Sequence, residues 1–163
     1  MKITLVRHAE SIYNEKGLFQ GQADCPLSAR GIKKTKEKKL LIDFDICFCS
    51  PLLRTKQTAE ILVPFSKIIY DDRLKEIGLG DWENTSITKE KRSLLKNKVI
   101  PSNGETFESF DNRILNFLNM LKKDYNSQNI LIITHAGVIC AIHRILRLSI
   151  KSIDNLETIT INF

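Results

Sequence analysis

Asn129-Ile130-Leu131-Ile132-Ile133-Thr134-His135-Ala136-Gly137 is the stretch on which the reading of the chain turns. Its four consecutive aliphatic residues suit a strand covered on both faces, since a solvated face would require a polar residue at every second position. Beyond Gly137 the pattern becomes helical, from about Val138 to Leu148. Working outward, the same alternation recurs along the whole chain. Ile3-Thr4-Leu5-Val6 is a short buried strand. Ser28 is placed to cap a helix running to about Leu41, and Ile46–Cys49 follows as a second strand. Arg54 to Leu62 is helical, and Lys67–Tyr70 is a third strand. Ile87–Lys96 is polar and predicts a surface helix. Phe107 to Tyr125 places Phe107, Phe110, Ile114, Phe117, Leu118 and Leu121 on one stripe of 3.6-residue period. Glu157–Phe163 alternates as a final edge strand.

Strands separated by helices imply βαβ units, and hence an α/β fold built as a three-layer α/β/α sandwich: a mostly parallel sheet with helices on both faces. No repeat, low-complexity tract or linker interrupts residues 1–163, which are expected to form a single domain. In such sheets ligands bind beyond the carboxyl ends of the strands. Polar residues immediately after strands are therefore the ones expected to carry chemistry.

Composition narrows the classes. No run of apolar residues reaches the 18 or so needed to span a bilayer, and Met1-Lys2-Ile3 leads straight into a strand rather than into a signal peptide, so a cytoplasmic protein with no membrane partner is expected. Cys25, Cys47, Cys49 and Cys140 lie in or beside apolar segments without a CxxC pair, as reduced buried thiols would. The 25 Lys and Arg outnumber the 19 Asp and Glu, giving +6. That excess is densest in Lys33-Lys34-Thr35-Lys36-Glu37-Lys38-Lys39, where no aromatic residue is interleaved. It reads as a solvated helix face, and no nucleic-acid partner is expected. The oligomeric state is left open.

Three segments obey the strand-end rule. Arg7-His8 follows the first strand, Ser50-Pro51-Leu52-Leu53-Arg54-Thr55 the second, and His135-Ala136-Gly137 the strand ending at Thr134. Each brings a basic group to a place where the loops converge. Arginine offers a permanent cation with a planar fork of donors suited to phosphate oxygens, and a neutral imidazole is a nucleophile or base. Two arginines with two histidines and no nearby carboxylate run describe an anion site, and the cations would repel a metal, so neither metal nor cofactor is expected. Arg54 one turn into a helix is poorly placed for a cation near the positive end of the helix dipole, which a bound anion would explain. Glu10, Glu76 and Glu83 compete for the role of proton donor. His143, midway along a helix, reads as a packing or surface residue.

In these residues the chain resembles the histidine phosphatase superfamily, which includes cofactor-dependent phosphoglycerate mutases and α-ribazole phosphatases. The resemblance rests on Arg7-His8-Ala9-Glu10-Ser11 with Asn14, on Gln20 to Ser28, and on Ser50 to Thr55. It continues through Leu74 to Glu83, Gly104-Glu105-Thr106 and Thr134 to Gly137. It implies a phosphoglycerate mutase-like fold. It implies that His8 is the nucleophile that becomes phosphorylated, that Arg7, Arg54 and His135 hold the phosphoryl oxygens, and that Glu76 donates a proton to the leaving group. Asn14, Gln20, Gly21 and Ala136 would line the substrate pocket. Ala9, Ser11 and Asn84 stand where the family more often has glycine, threonine and glycine, and Asn84 is expected to reshape the pocket rim.

The function so implied is metal-independent hydrolysis of a small-molecule phosphomonoester through phosphohistidine. Gly80-Asp81-Trp82-Glu83 points by analogy to α-ribazole 5′-phosphate. A cofactor-dependent phosphoglycerate mutase is the alternative; mutases of this kind usually carry longer insertions and a tail, whereas the sequence stops at Phe163, just after its last expected strand. A non-catalytic phosphate binder would be expected to have lost a catalytic group, and none is missing.

Overall fold

A computed structural model describes residues 1–40, 42–64, 66–150 and 152–163. Five strands form one sheet: β1 (Lys2–Arg7), β2 (Ile46–Cys49), β3 (Ile68–Tyr70), β4 (Asn129–Thr134) and β5 (Thr158–Asn162). Their spatial order is β3-β2-β4-β1-β5, parallel except for β5, which runs antiparallel to β1 at the edge. β4 lies between β1 and β2 and is buried from Ile130 to Thr134, which is why it has no polar alternation.

The helices are α1 (Ile12–Glu15), α2 (Ala29–Glu37), α3 (Leu53–Leu62), α4 (Lys89–Lys96), α5 (Phe107–Asp124) and α6 (Ala136–Ile145). Successive residues of a strand point to opposite faces, and the two cores divide accordingly. Ile130 and Ile132 join Ile3, Leu5 and Phe48 beneath α5 and α6, where Ile114, Phe117, Leu118, Ile139 and Ile142 pack. Leu131 and Ile133 face the other way with Val6, Cys47 and Cys49, and meet Ala59 of α3 and Val63. The expected sandwich, with helices on both faces of a mostly parallel sheet, is therefore present.

Most boundaries fall within one or two residues of expectation. α2 begins after its Ser28 cap but ends at Glu37, earlier than expected; Leu41, where the helix was expected to stop, lies outside the described residues. α1 and two 3-10 turns, Asp72–Leu74 and Gly80–Trp82, were not anticipated. They are single turns, too short for periodicity to reveal. His143 is a packing residue, buried in α6 with Nδ1 donating to the carbonyl of Ile139. Asn84 has φ +60°, the left-handed conformation in which glycine is usual, and its N–H donates to Phe19. Asn84 itself does not line the cavity described below, whereas Phe19, to which it is hydrogen-bonded, does.

α2 approaches the β1 exit at Gly31, where an added Cβ would overlap the carbonyl oxygen of Glu10. That oxygen also accepts from the Ser28 N–H, and so it cannot swing aside. Alanine gains about 1 kcal/mol of helix propensity over glycine, but overpacking against backbone costs up to about 3 kcal/mol. Gly31→Ala should therefore lower the melting temperature by about 4–8 °C, read by thermal denaturation.

Candidate active site

The exits of β1, β2 and β4 meet the segment after β3 around a cavity of about 280 Å³. Arg7, His8, Asn14, Gln20, Gly21, Arg54, Glu76 and Ala136 all line it, with Phe19, Ile77, Leu79 and Leu95 among its apolar wall. Of the nine residues singled out from sequence, His135 alone is not on the wall. It is fully buried immediately behind, its ring centroid 5.2 Å from that of His8.

His8 extends β1 by one residue, its N–H donating to the Thr134 carbonyl at 2.8 Å. Its Nδ1 lies 2.7 Å from the carbonyl oxygen of Ala9. A carbonyl can only accept, so Nδ1 carries the hydrogen and Nε2 keeps the lone pair. Burial pushes the His8 pKa well below the usual imidazole value, and the Arg54 and Arg7 cations push it further; the Ala9 contact opposes them weakly. The ring is thus neutral at pH 7, with a free basic nitrogen.

His135 is held by Ser50, the first residue of the segment after β2. The Ser50 Oγ accepts from the Leu52 N–H at 3.4 Å and lies 2.8 Å from His135 Nε2. A hydroxyl can accept twice as well as donate, so this contact leaves the hydrogen of His135 on either Nε2 or Nδ1. The His135 Nδ1 is buried without a partner among the described residues. Burial, and then Arg54, keep His135 neutral as well.

The two arginines are held by backbone rather than by carboxylates. Arg54 is fully buried and donates through Nη1 to Ala23 and through Nη2 to Gly21. Arg7 donates through Nη1 to Ile153. Each has a buried Nε without a partner, and among the described residues neither forms an ion pair within 4.0 Å. Burial lowers both guanidinium pKa values, against the pull of Glu76. Two unbalanced cations beside two neutral imidazoles make a cavity that favours an anion.

The amides add donors. Ser11 presents its N–H and hydroxyl to Asn14 Oδ1, and its hydroxyl also reaches Gln20 Oε1. The amide oxygens face Ser11, so the NH₂ groups of both residues remain for a ligand. Asn155, unforeseen from sequence, secures the loop by donating to the His8 carbonyl at 2.9 Å.

The competition among carboxylates is decided by contacts. Glu10 is bound by Arg30 and Ser28 away from the cavity, and those bonds hold its pKa below the ordinary carboxylate value. Glu83 accepts from the N–H groups of Gln22 and Leu79. Glu76 alone of the three lines the cavity, its Oε2 accepting from Gly137 N–H and its Oε1 from Ile77 N–H. Arg113 of α5 clamps the backbone beneath it. It donates to the carbonyls of Arg73, Lys75 and Glu76 and makes a two-point ion pair with Glu105, whose Oε2 accepts from Gly78.

A parallel α/β sheet whose strand ends converge on a cationic pocket with a lone-pair imidazole defines an enzyme of phosphoryl chemistry. Residues 3–161 match the histidine phosphatase superfamily (branch 1), and the chain belongs to that family. It is 32% identical over 157 residues to the adenosylcobalamin/alpha-ribazole phosphatase of Escherichia coli (strain K12), covering 85% of this chain and 75% of that one. It is 31% identical to phosphoserine phosphatase 1 of Hydrogenobacter thermophilus, covering 83% and 71%. The crystal structure of the alpha-ribazole phosphatase from Shigella flexneri superposes with a TM-score of 0.85 at 28% identity, covering 99% and 90%. The chain is a phosphatase of this superfamily.

The buried neutral histidines make stability pH-dependent. Unfolded, each titrates near pH 6.5; folded, both lie well below that, so the unfolded chain binds more protons as pH falls. Stability should be full above about pH 6.5 and decline toward pH 5, by up to about 1.4 kcal/mol per pH unit for each histidine. Urea titrations between pH 7.5 and 5 read the slope. It should halve in His135→Asn; an unchanged slope would place the linkage elsewhere.

Proposed function

We propose that the cavity hydrolyses a small phosphomonoester by way of a phosphohistidine on His8. The observation that carries this is the lone pair of His8 Nε2, kept unprotonated beside two cations that make no ion-pair contact among the described residues. A phosphate dianion supplies the missing charge, and Arg7 and Arg54 screen its repulsion of the incoming nitrogen. Asn14 and Gln20 add neutral donors to the phosphoryl oxygens, with His135 buried directly behind His8.

In the first step Nε2 of His8 attacks phosphorus as the bond to the ester oxygen breaks. Glu76 gives a proton to that oxygen, and the alcohol leaves. In the second, Glu76 takes a proton from water, whose oxygen attacks phosphorus. The N–P bond breaks, and inorganic phosphate and neutral His8 are regenerated. The arginines supply the positive charge this cycle needs, so no metal or cofactor is invoked. Likeness to the Escherichia coli relative makes α-ribazole 5′-phosphate the first substrate to try. Buried Cys47 and Cys49, whose thiol pKa values burial raises, suit a reducing cytoplasm.

Mixing with ³²P-labelled substrate and quenching within milliseconds should trap an acid-labile, base-stable phosphoprotein, without added metal and in the presence of chelator. His8→Ala should abolish both label and turnover. Label retained in His8→Ala, or interconversion of phosphoglycerate isomers without release of phosphate, would remove this reading.

The role of Glu76 has its own signature. Protonation matters most for a poor leaving group, on which charge builds in the transition state. Glu76→Gln should lose about 10²–10⁴-fold on an alkyl phosphate and much less on a nitrophenyl phosphate. An equal loss on the two would make Glu76 a phosphate-positioning residue.

A further inference from the structure

Beside the catalytic cavity lies a second one, of about 450 Å³. The two share Ile77, Leu95 and Gly137 as common wall. Gly137 is also where the Glu76 carboxylate is bound, and a Cβ there would strike that carboxylate. The shared wall is thus at the candidate proton donor. An ester oxygen protonated by Glu76 would sit beside Gly137, where the two cavities meet. On the reading proposed above, we infer that this cavity is the leaving-group subsite, and that it selects phosphomonoesters of bulky, ring-bearing apolar alcohols that carry no positive charge.

The walls specify the ring. Phe107 and Phe110 of α5 face Leu95 of α4, with Ile77 and Cys140 between. Phe110 has the Arg113 guanidinium against its ring, 4.6 Å from the centroid, so its place is fixed by the clamp that also holds Glu76. A flat apolar group is the shape such aromatic and aliphatic walls accept.

The rim specifies the charge. Arg92, Lys96 and Lys98 line the mouth without an ion-pair partner among the described residues, and Arg144 is already paired with Asp111. No carboxylate is on the wall. A neutral or anionic alcohol can enter, whereas an ammonium group meets only like charge. The cavity therefore separates this chain from phosphatases whose substrate, like phosphoserine, is small and bears an amine.

The test compares three aryl monoesters of similar leaving-group pKa: phenyl phosphate, 1-naphthyl phosphate, and a naphthyl phosphate with an aminomethyl group on the distal ring. Wild type should favour naphthyl over phenyl by about tenfold in kcat/KM, chiefly through KM, since added apolar contact in a pocket gives discrimination of that order. The aminomethyl compound should fall about two- to fivefold below naphthyl, the range for exposed charge pairs, and recover in high salt. Phe107→Ala should shrink the naphthyl preference to within twofold. Lys96→Glu combined with Lys98→Glu changes only exposed side chains, so it serves if Phe107→Ala does not fold; it should erase the aminomethyl penalty. Turnover of all three esters with no naphthyl preference, or an aminomethyl penalty that survives both charge reversals, overturns the subsite and leaves the phosphatase reading standing. Absence of turnover on every ester overturns the phosphatase reading itself, and the subsite with it.

Discussion

Two buried guanidinium groups without carboxylate partners are the constraint to which the rest of the site answers. A buried cation left unpaired costs several kcal/mol, so proteins usually supply a counter-ion. Here Arg54 and Arg7 instead spend donors on the carbonyls of Gly21, Ala23 and Ile153, which fix their geometry while Glu76 acts on their charge without an ion-pair contact. The consequence runs through every neighbour. Burial first, and then the two cations, keep the imidazoles of His8 and His135 neutral. The only carboxylate on the cavity wall, Glu76, is oriented by the N–H groups of Ile77 and Gly137 rather than by either arginine. The positive charge therefore remains available to a ligand.

Register explains how chain segments so distant in sequence converge. Arg7 lies opposite Thr134, and Cys49 opposite Ile133, so His8, Ser50 and His135 leave the sheet side by side. The strands are fixed by ladder hydrogen bonds and by cores on both faces, which gives these exits little freedom to move. Glu76 has no such support, because it arrives on an irregular segment after β3. Arg113 and Glu105 take the place of a strand there. The cation fastens three carbonyls, those of Arg73, Lys75 and Glu76, and the carboxylate holds the Gly78 N–H. Positioning of the proposed proton donor thus passes from the sheet to a long helix packed on it.

What was legible in sequence follows from the same distinction. The strand-end residues were readable because the alternation of apolar runs and helices places strand termini, and termini of parallel strands bind ligands. The boundaries of β2 and β4 followed from their unbroken apolar runs, and the start of α2 from the Ser28 cap. Arg113 and Asn155 carried no comparable signal, and Ser50, though at a strand end, gave no hint of its partner. A serine after a strand looks like any turn residue until His135, 85 positions away, is folded against it. Arg113 occupies a polar position of an amphipathic helix, where an arginine ordinarily meets solvent. The choice of Glu76 over Glu10 and Glu83 required knowing that Arg30 and Ser28 claim the first, and Gln22 and Leu79 the second. Each of these is a long-range pairing, and pattern along the chain does not encode it.

The division between sheet and helices also separates chemistry from selectivity. His8, His135 and the arginines lie at or just beyond strand ends, where a change in one would disturb the ladder, the tautomers or the charge balance together. The second cavity is walled by α4, α5 and α6, through side chains such as Lys96 and Phe107 that do not line the first. Substitutions there alter which alcohol fits while phosphoryl transfer proceeds at an unchanged centre. Relatives sharing about a third of their residues with this chain are named for substrates as different as alpha-ribazole and phosphoserine esters. A fold that keeps the reacting phosphate against a rigid sheet edge, and the leaving group against interchangeable helix faces, permits that divergence. Gly137 sits at the junction of the two cavities. Any side chain there would displace Glu76, so the passage through which chemistry and selectivity meet has to remain open.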